Sequence, residues 1–337
     1  MKVLTLLGYY EPGGFKTVID NLSKNLRRLG VEVTVATRVV RTEPPSYVNL
    51  IRLRPEELPE EGRHYDVIHI HTSYPYTKVA VEHGMQNVTF TWHGYAPTVY
   101  VPGLQNKIVN LALRYAYRKL LPRLRFITAV SDYANRQLQR LFGVSGEIVS
   151  NGVDAELFRP CPRDIRGFDP TNRPVILNLT AYNNLKGKDI LIRAFKAIRR
   201  RYGRAVLLVR GSVPQLNGVV HLRYVPYERL PEVYCRADFY LLTSRWESFG
   251  LPILESFATG TPVIAYDRDD ARREHILGSS GGLLFRDDKT LLQAVEEILS
   301  NWDAYSQRAA NYAINFGWDN AARRYLNVYR KVVGEQT

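Results

Sequence analysis

Two glutamates, Glu247 and Glu255, bracket the run Ser248-Phe249-Gly250-Leu251-Pro252-Ile253-Leu254, which has the form of a strand-to-helix junction. Gly250 suits a helix cap and Pro252 the first helical position, where an N–H would have no partner anyway. Glu255 then falls in the first helical turn and Glu247 on the loop before it. The backbone N–H groups of Phe249, Gly250 and Leu251 would point outward unpaired, a setting that takes phosphate. Two carboxylates beside such a site suit sugar and ribose, because a carboxylate can accept two hydrogen bonds from vicinal hydroxyls. The bland alternative is two acids drawn to a positive helix end at about 0.3–1 kcal/mol each, and it leaves the rest of the block unexplained.

The elements that must position these residues follow from the apolar pattern. Short runs rich in β-branched residues alternate with longer stretches at helical spacing, which predicts parallel βαβ units. The predicted strands are 2–7, 31–36, 48–53, 66–70, 88–92, 126–130 and 147–149, then 174–179, 205–209, 219–224, 239–242, 262–265 and 282–285. Two successive doubly wound α/β sheets account for them, joined across 151–171, where Pro160, Pro162, Pro170 and Gly167 interrupt every period. Ligands of such sheets bind beyond the carboxyl ends of the strands. Chemistry is therefore expected in loops 8–14, 71–76, 93–96, 131–132, 180–188, 211–214 and 244–251.

Bulk properties narrow the function classes. A chain of 337 residues holds about two domains, and 45% hydrophobic with 23% charged residues excludes disordered and fibrous classes. No apolar run approaches the roughly 18 residues of a membrane span, and the apolar N-terminus is too short for a signal peptide, so a cytoplasmic location is expected. Cys161 and Cys235 stand far apart with no CxxC or Cys/His cluster around them, which reads as two unpaired positions rather than a disulfide or zinc site. The formal charge of +13 and pI near 9.7 call for an acidic partner: nucleic acid, anionic headgroups or a phosphorylated substrate. In 107–125, Lys107, Arg114, Arg118, Lys119, Arg123 and Arg125 interleave with Ile108, Leu111, Tyr115 and Leu120, with no acid. As a helix ended by Pro122 this is a basic amphipathic segment suited to an anionic membrane surface, although a surface helix of a basic protein explains it as well. Arg199-Arg200-Arg201 with Arg204 reads as a solvated helix end.

The pattern EsFGLPilEsfAtGtPVIA over 247–265 resembles the Glu-x7-Glu signature of GT-B retaining glycosyltransferases, and family 4 in particular. Gly13-Gly14, YDVIHIH (65–71), TWHG (91–94), ITAVSD (127–132), NGVD (151–154), Lys186-Gly187 and Ala237-Asp238 are similar to that family in the same order. Each match alone is weak, and their colinearity over nearly the whole chain is specific. The resemblance implies two Rossmann-like domains facing across a cleft, 1–160 on the acceptor side and 161–317 binding the nucleotide-sugar, with 318–337 returning to the first. It implies that Glu247 contacts the transferred sugar, Glu255 holds the ribose hydroxyls, and Lys186 neutralises the donor diphosphate as a mobile point charge. Gly13 and Gly14 would let backbone close over diphosphate or acceptor, and His93 would lie over the sugar ring. Read without the family, these are a solvated lysine, an ordinary turn and a hydrogen-bonded strand-end histidine. His69 and His71 share one strand face, a spacing open to a metal, but no third ligand is placed nearby and the family uses none. Neither metal nor cofactor is expected. Ser131 matches a family position and equally suits a helix cap.

One departure stands out. Where many members carry an arginine six residues before the diphosphate lysine, this chain has Thr180, within Asn178-Leu179-Thr180-Ala181-Tyr182. Arg210 is the first candidate to replace that cation and Arg245 another, unless Lys186 and the helix N-terminus act alone. The function expected is retaining transfer of a sugar from a nucleotide-diphosphate-sugar to a hydroxyl acceptor, with no residue marked as nucleophile. Segment 107–125 motivates a lipid-linked or membrane-surface glycan as acceptor and a peripheral place on the inner face of the membrane, against a soluble glycan or protein. The rivals are a GT-B epimerase or phosphorylase and a basic nucleic-acid-binding protein. The second is supported by charge and 22 tyrosines and explains no motif. A nicotinamide dehydrogenase is disfavoured because no GxGxxG follows the first strand.

Overall fold

The computed structural model describes residues 1–161, 174–181 and 183–334. The predicted join beyond Cys161, with Pro162, Gly167 and Pro170, lies outside them, as do Tyr182 and residues 335–337. Each predicted apolar run forms a strand; the central ones, 67–71, 88–92 and 239–242, are buried throughout, since an apolar run buried on both faces gains most as the interior of a parallel sheet. In chain order the elements begin β1 (Lys2–Tyr10), α1 (Gly14–Arg28), β2 (Glu32–Val40), β3 (Asn49–Arg52), α2 (Leu58–Glu61), β4 (Val67–His71) and α3 (Tyr74–Glu82). They continue β5 (Val88–Trp92), α4 (Leu104–Leu120), β6 (Phe126–Ala129), α5 (Asp132–Phe142) and β7 (Glu147–Ile148). The second half runs β8 (Val175–Ala181), α6 (Lys188–Tyr202), β9 (Val206–Gly211), β10 (Val219–His221), α7 (Leu230–Cys235), β11 (Phe239–Leu242) and α8 (Leu251–Ala258). It ends β12 (Val263–Tyr266), α9 (Ala271–Ser279), β13 (Gly282–Phe285), α10 (Asp288–Ser300), α11 (Trp302–Ala313) and α12 (Trp318–Val333).

Two compact units result: Met1–Gly152 together with the chain from Trp318 onward, and Val153–Gly317. The first holds a seven-stranded sheet in the order β3-β2-β1-β4-β5-β6-β7, the second a six-stranded sheet in the order β10-β9-β8-β11-β12-β13, and the strand pairings among the described residues are parallel. Strand order reverses at β1/β4 in one and at β8/β11 in the other, which makes the loops after those four strands the binding positions. β1 runs three residues past its predicted end because pairing with β2 continues through Tyr9↔Val39 and Tyr10↔Val40. Helix α12 belongs to the first unit's core, where Ala322, Tyr325, Val328 and Tyr329 pack with Ile19, Leu22 and Leu26 of α1. Its tyrosines also satisfy the sheet: Tyr329 hydroxyl lies 2.8 Å from His69 Nδ1 and Tyr325 hydroxyl 3.2 Å from Thr91 Oγ1.

The cysteines correct the sequence reading. Cys161 and Cys235, expected to be unpaired, form a disulfide with Cα atoms 5.7 Å apart across 74 residues of sequence. Spacing rules look for local clusters, and this pair is made by the fold: the Cys161 N–H donates to Thr259 O just past α8, which sets the segment against the end of α7. In the loop-entropy picture, closing a loop of this size is worth about 4 kcal/mol.

Candidate functional site

In the second unit, the loops after the two switch-point strands meet. Lys186, after β8, donates from Nζ to Glu247 Oε1 at 2.8 Å, and Glu247 follows β11. Close backbone contact makes this possible. Gly187 sits at φ +66° and a Cβ there would stand 1.8 Å from Thr243 O, so only glycine lets the Lys186 loop lie on the end of β11. Glu247 is 7% exposed. Burial pushes its carboxyl up, but the Lys186 ammonium with its hydrogen bond and the charge of Arg272 hold it below the usual glutamate range.

Glu255 lies on α8, which starts at Gly250 with φ +93° and carries Pro252 in its first turn. The Tyr234 hydroxyl donates to its Oε2 at 2.8 Å. Burial raises this carboxyl to about 7, against the Tyr234 hydrogen bond and the Arg210 charge that favour its ionised form. Arg210, at the end of β9, thus acts on the Glu255 end of the site and bears on Tyr234 as well.

Arg245 forms a fork on Asp189, with Nη1 to Oδ1 at 2.7 Å and Nη2 to Oδ2 at 2.5 Å, and also donates to Asn184 O. It braces the Lys186 loop against the first turn of α6. Phe249 turns its ring onto His275, centroids 4.9 Å apart, so its share in any ligand contact is through backbone; Leu251 opens α8. Thr180 Oγ1 stands 3.5 Å from the Tyr240 hydroxyl, a polar contact without charge. The sequence reading misses Tyr234, Asp270 and Arg272. Asp270 carries a visible cue as an acid just before a helix, and its side chain does cap α9; nothing local marks Tyr234.

In the first unit, Gly13 (φ +148°) caps α1 and Gly14 is its first residue. His93, just past β5, is 7% exposed; its Nε2 lies 2.9 Å from His71 Nδ1, and its ring centroid 4.7 Å from that of Phe15. Burial lowers His93 to about 3 and His71 well below the ordinary histidine value. At neutral pH both are therefore uncharged rings, one donating to the other, and His93 offers a hydrogen bond or a ring face rather than positive charge. His69 is committed to Tyr329 and Thr91. Among the described residues no group of three or more His, Cys, Asp or Glu could hold a metal ion. Ser131 caps α5 by accepting from Ala134 N–H at 3.0 Å.

On the same unit, α4 leaves Leu104, Ile108, Leu111 and Tyr115 more than half exposed, an i, i+4, i+7, i+11 stripe along one face. Leu120, read from sequence as part of that face, is buried instead, with Tyr117 and Asn110. Among the described residues no helix is long and apolar enough to cross a membrane.

Residues 164–316 match the family described as Glycosyl transferases group 1, and residues 12–157 that described as Glycosyltransferase Family 4. The chain is 28% identical to the D-inositol 3-phosphate glycosyltransferase of Thermobispora bispora, over 97% of this chain and 91% of that protein. It is 26% identical to the phosphatidyl-myo-inositol mannosyltransferase of Mycolicibacterium smegmatis, over 96% and 91%. Among solved structures, sucrose-phosphate synthase from Thermosynechococcus elongatus superposes with a TM-score of 0.81 at 20% identity, covering 99% of both chains.

Proposed function

We infer, since the chain belongs to glycosyltransferase family 4 and has the GT-B fold, how its residues divide the work of a nucleotide-sugar-dependent glycosyltransferase. The reading rests on one observation above all: the Lys186–Glu247 pair is assembled from the two loops at the β8/β11 switch point. Transfer breaks the bond between sugar C1 and the diphosphate oxygen, which leaves an oxocarbenium-like sugar and an anionic leaving group. Lys186 exchanges Glu247 for the diphosphate, joined by the N–H groups that open α8. Glu247, released, accepts hydrogen bonds from the sugar hydroxyls. Glu255 accepts from the ribose diol, and Arg210 supports it in the ionised form. Fixed charges and dipoles of this kind are worth about 2.7–4 kcal/mol apiece where the leaving group develops charge. Positive charge comes from side chains and N–H groups, so transfer should proceed with EDTA present.

Transfer is read as retaining, with no carboxylate assigned as nucleophile. The acceptor is read as a lipid-linked hydroxyl presented at an anionic membrane surface. The exposed stripe of α4, flanked by Lys107, Arg114, Arg118 and Lys119, supports this, and so do the inositol-phosphate and phosphatidylinositol substrates in the names of the two relatives. The place of action is then the cytoplasmic face of the cell membrane. Polybasic attraction is worth about 1 kcal/mol per basic residue. The protein should co-sediment with phosphatidylserine vesicles at low salt, and Ile108→Glu/Leu111→Glu should release it; a soluble wild type would sink the membrane reading. A thermal-shift panel of UDP, GDP, ADP and their sugar conjugates tests donor use, since a ligand stabilises by RT ln(1 + [L]/Kd). No shift from any of them would contradict it.

A further inference from the structure

The 244–247 turn is braced by two side chains from outside it, Asp270 and Arg272, which are 2% and 0% exposed. Asp270 Oδ1 accepts from Arg272 N–H (3.1 Å) and Nε (2.7 Å), while Oδ2 accepts from Arg272 Nη2 (2.7 Å) and from the Glu247 backbone N–H (2.8 Å). Arg272 Nη1 donates to Ser244 O at 2.7 Å and to Tyr266 O at 2.6 Å. The Ala271 N–H donates to Glu247 O at 3.4 Å. Four of the five guanidinium N–H donors are therefore in use, and both ends of the turn are tied to the Asp270–Arg272 pair at the start of α9.

A buried ion pair is a poor source of stability, because well-packed apolar residues serve as well or better. What the fork supplies is position. A loop that only had to be closed could rest on backbone turns, yet this one has a buried ion pair spent on it, Arg272 on Ser244 O and Asp270 on the Glu247 N–H, the residues three apart that set where the Glu247 side chain leaves the backbone. Glu247 is otherwise tethered by Lys186, and a donor diphosphate draws Lys186 away. We propose that Asp270 and Arg272 are positioning residues for sugar transfer, fixing the Glu247 carboxylate against the sugar while Lys186 serves the leaving group. The proposal rests on the role given to Glu247 above.

The test uses Asp270→Asn and Arg272→Lys in the full chain, with UDP, GDP, UDP-glucose and GDP-mannose as probes. Because either change can leave a charge buried and unpaired, the double variant Asp270→Asn/Arg272→Met, which removes both charges, is run beside them. Each variant that melts cooperatively should bind the nucleoside diphosphate within about threefold of wild type and lose about 10–100-fold in kcat, the cost of a misplacement near 1 Å. In a Glu247→Gln background, adding Asp270→Asn should lower kcat by less than about threefold, since its effect runs through Glu247. Arg273→Gln, which breaks the outer pair between the same helix and Asp267 in the loop before it, should leave kcat within about twofold as the control for simple loss of an ion pair. Unchanged kcat in the fork variants, an additive loss in the Glu247→Gln background, or equal loss of diphosphate affinity and kcat would each overturn the proposal. If Glu247→Gln alone transfers at the wild-type rate, the role of Glu247 fails instead, and the two failures are told apart.

Discussion

Glu247 and Glu255 are both nearly closed off from solvent, 7% and 9% exposed, yet their carboxyls are displaced in opposite directions. Burial pushes both up. At Glu247 a lysine ammonium at 2.8 Å outweighs it; at Glu255 a tyrosine hydroxyl at 2.8 Å and the Arg210 charge do not, and the carboxyl rises to about 7. A full opposite charge at hydrogen-bond distance thus decides ionisation where a neutral donor cannot. The consequence is a division of labour. Glu247 is held as an anion whose counter-charge can be lent to a phosphate, while Glu255 is partly protonated near neutrality and accepts from a ribose diol in its ionised form.

Tyr234 adjoins Cys235, so the disulfide holds the Glu255 side of the site. Reduction, or Cys235→Ser, should lower the unfolding free energy of the second unit by up to about 4 kcal/mol and weaken diphosphate binding. A melting midpoint unmoved by dithiothreitol would remove the bridge from the account. Next in size, Glu247→Gln should cut transfer by about a thousandfold, equivalent to about 4 kcal/mol, with diphosphate affinity kept. Steady-state kinetics beside calorimetry would show this.

Smaller effects follow from pH. Glu255 is raised in the folded chain, so the folded state holds a proton that the unfolded state gives up. Its contribution to stability is complete below the ordinary glutamate value near 4.5 and is lost as pH climbs to about 7. Glu247, lowered, has the opposite sign: its contribution is complete above that ordinary value and is lost as pH falls through its folded value. For binding, a carboxyl titrating at about 7 should make diphosphate affinity about tenfold tighter at pH 8 than at pH 6. Glu255→Gln should flatten that profile and Glu247→Gln should not. Smallest of all, Tyr234→Phe should weaken diphosphate binding at pH 7 by about three- to tenfold through one lost hydrogen bond to a carboxyl that is only partly ionised there; an unchanged affinity would mean that the hydroxyl does not help hold Glu255 ionised.

Much of this was legible in the sequence because the determining signals are local. Runs such as 239–242 and 282–285 become β11 and β13 with the predicted ends, since a parallel strand buried on both faces must be apolar throughout. Gly250 and Pro252 announce the start of α8 for the same kind of reason. What was not legible depends on partners distant in sequence. Cys161 meets Cys235 across 74 residues, and Tyr234 meets Glu255 from another helix. The fork of Arg272 on Asp270 is written in neighbouring residues, but its grip on Ser244 and Glu247 spans more than twenty. Arg245 adds a further case: its place after β11 suggests a diphosphate cation, and its fork on Asp189, 56 residues away, shows only in the fold.

The division of labour between the two glutamates is tested most directly by calorimetric titration of Glu247→Gln and Glu255→Gln with a nucleoside diphosphate and with its sugar conjugate. Glu255→Gln is expected to lose affinity for both ligands. Glu247→Gln is expected to bind the diphosphate as wild type does and to lose only the increment due to the sugar. Equal loss of diphosphate affinity in the two variants would contradict the account.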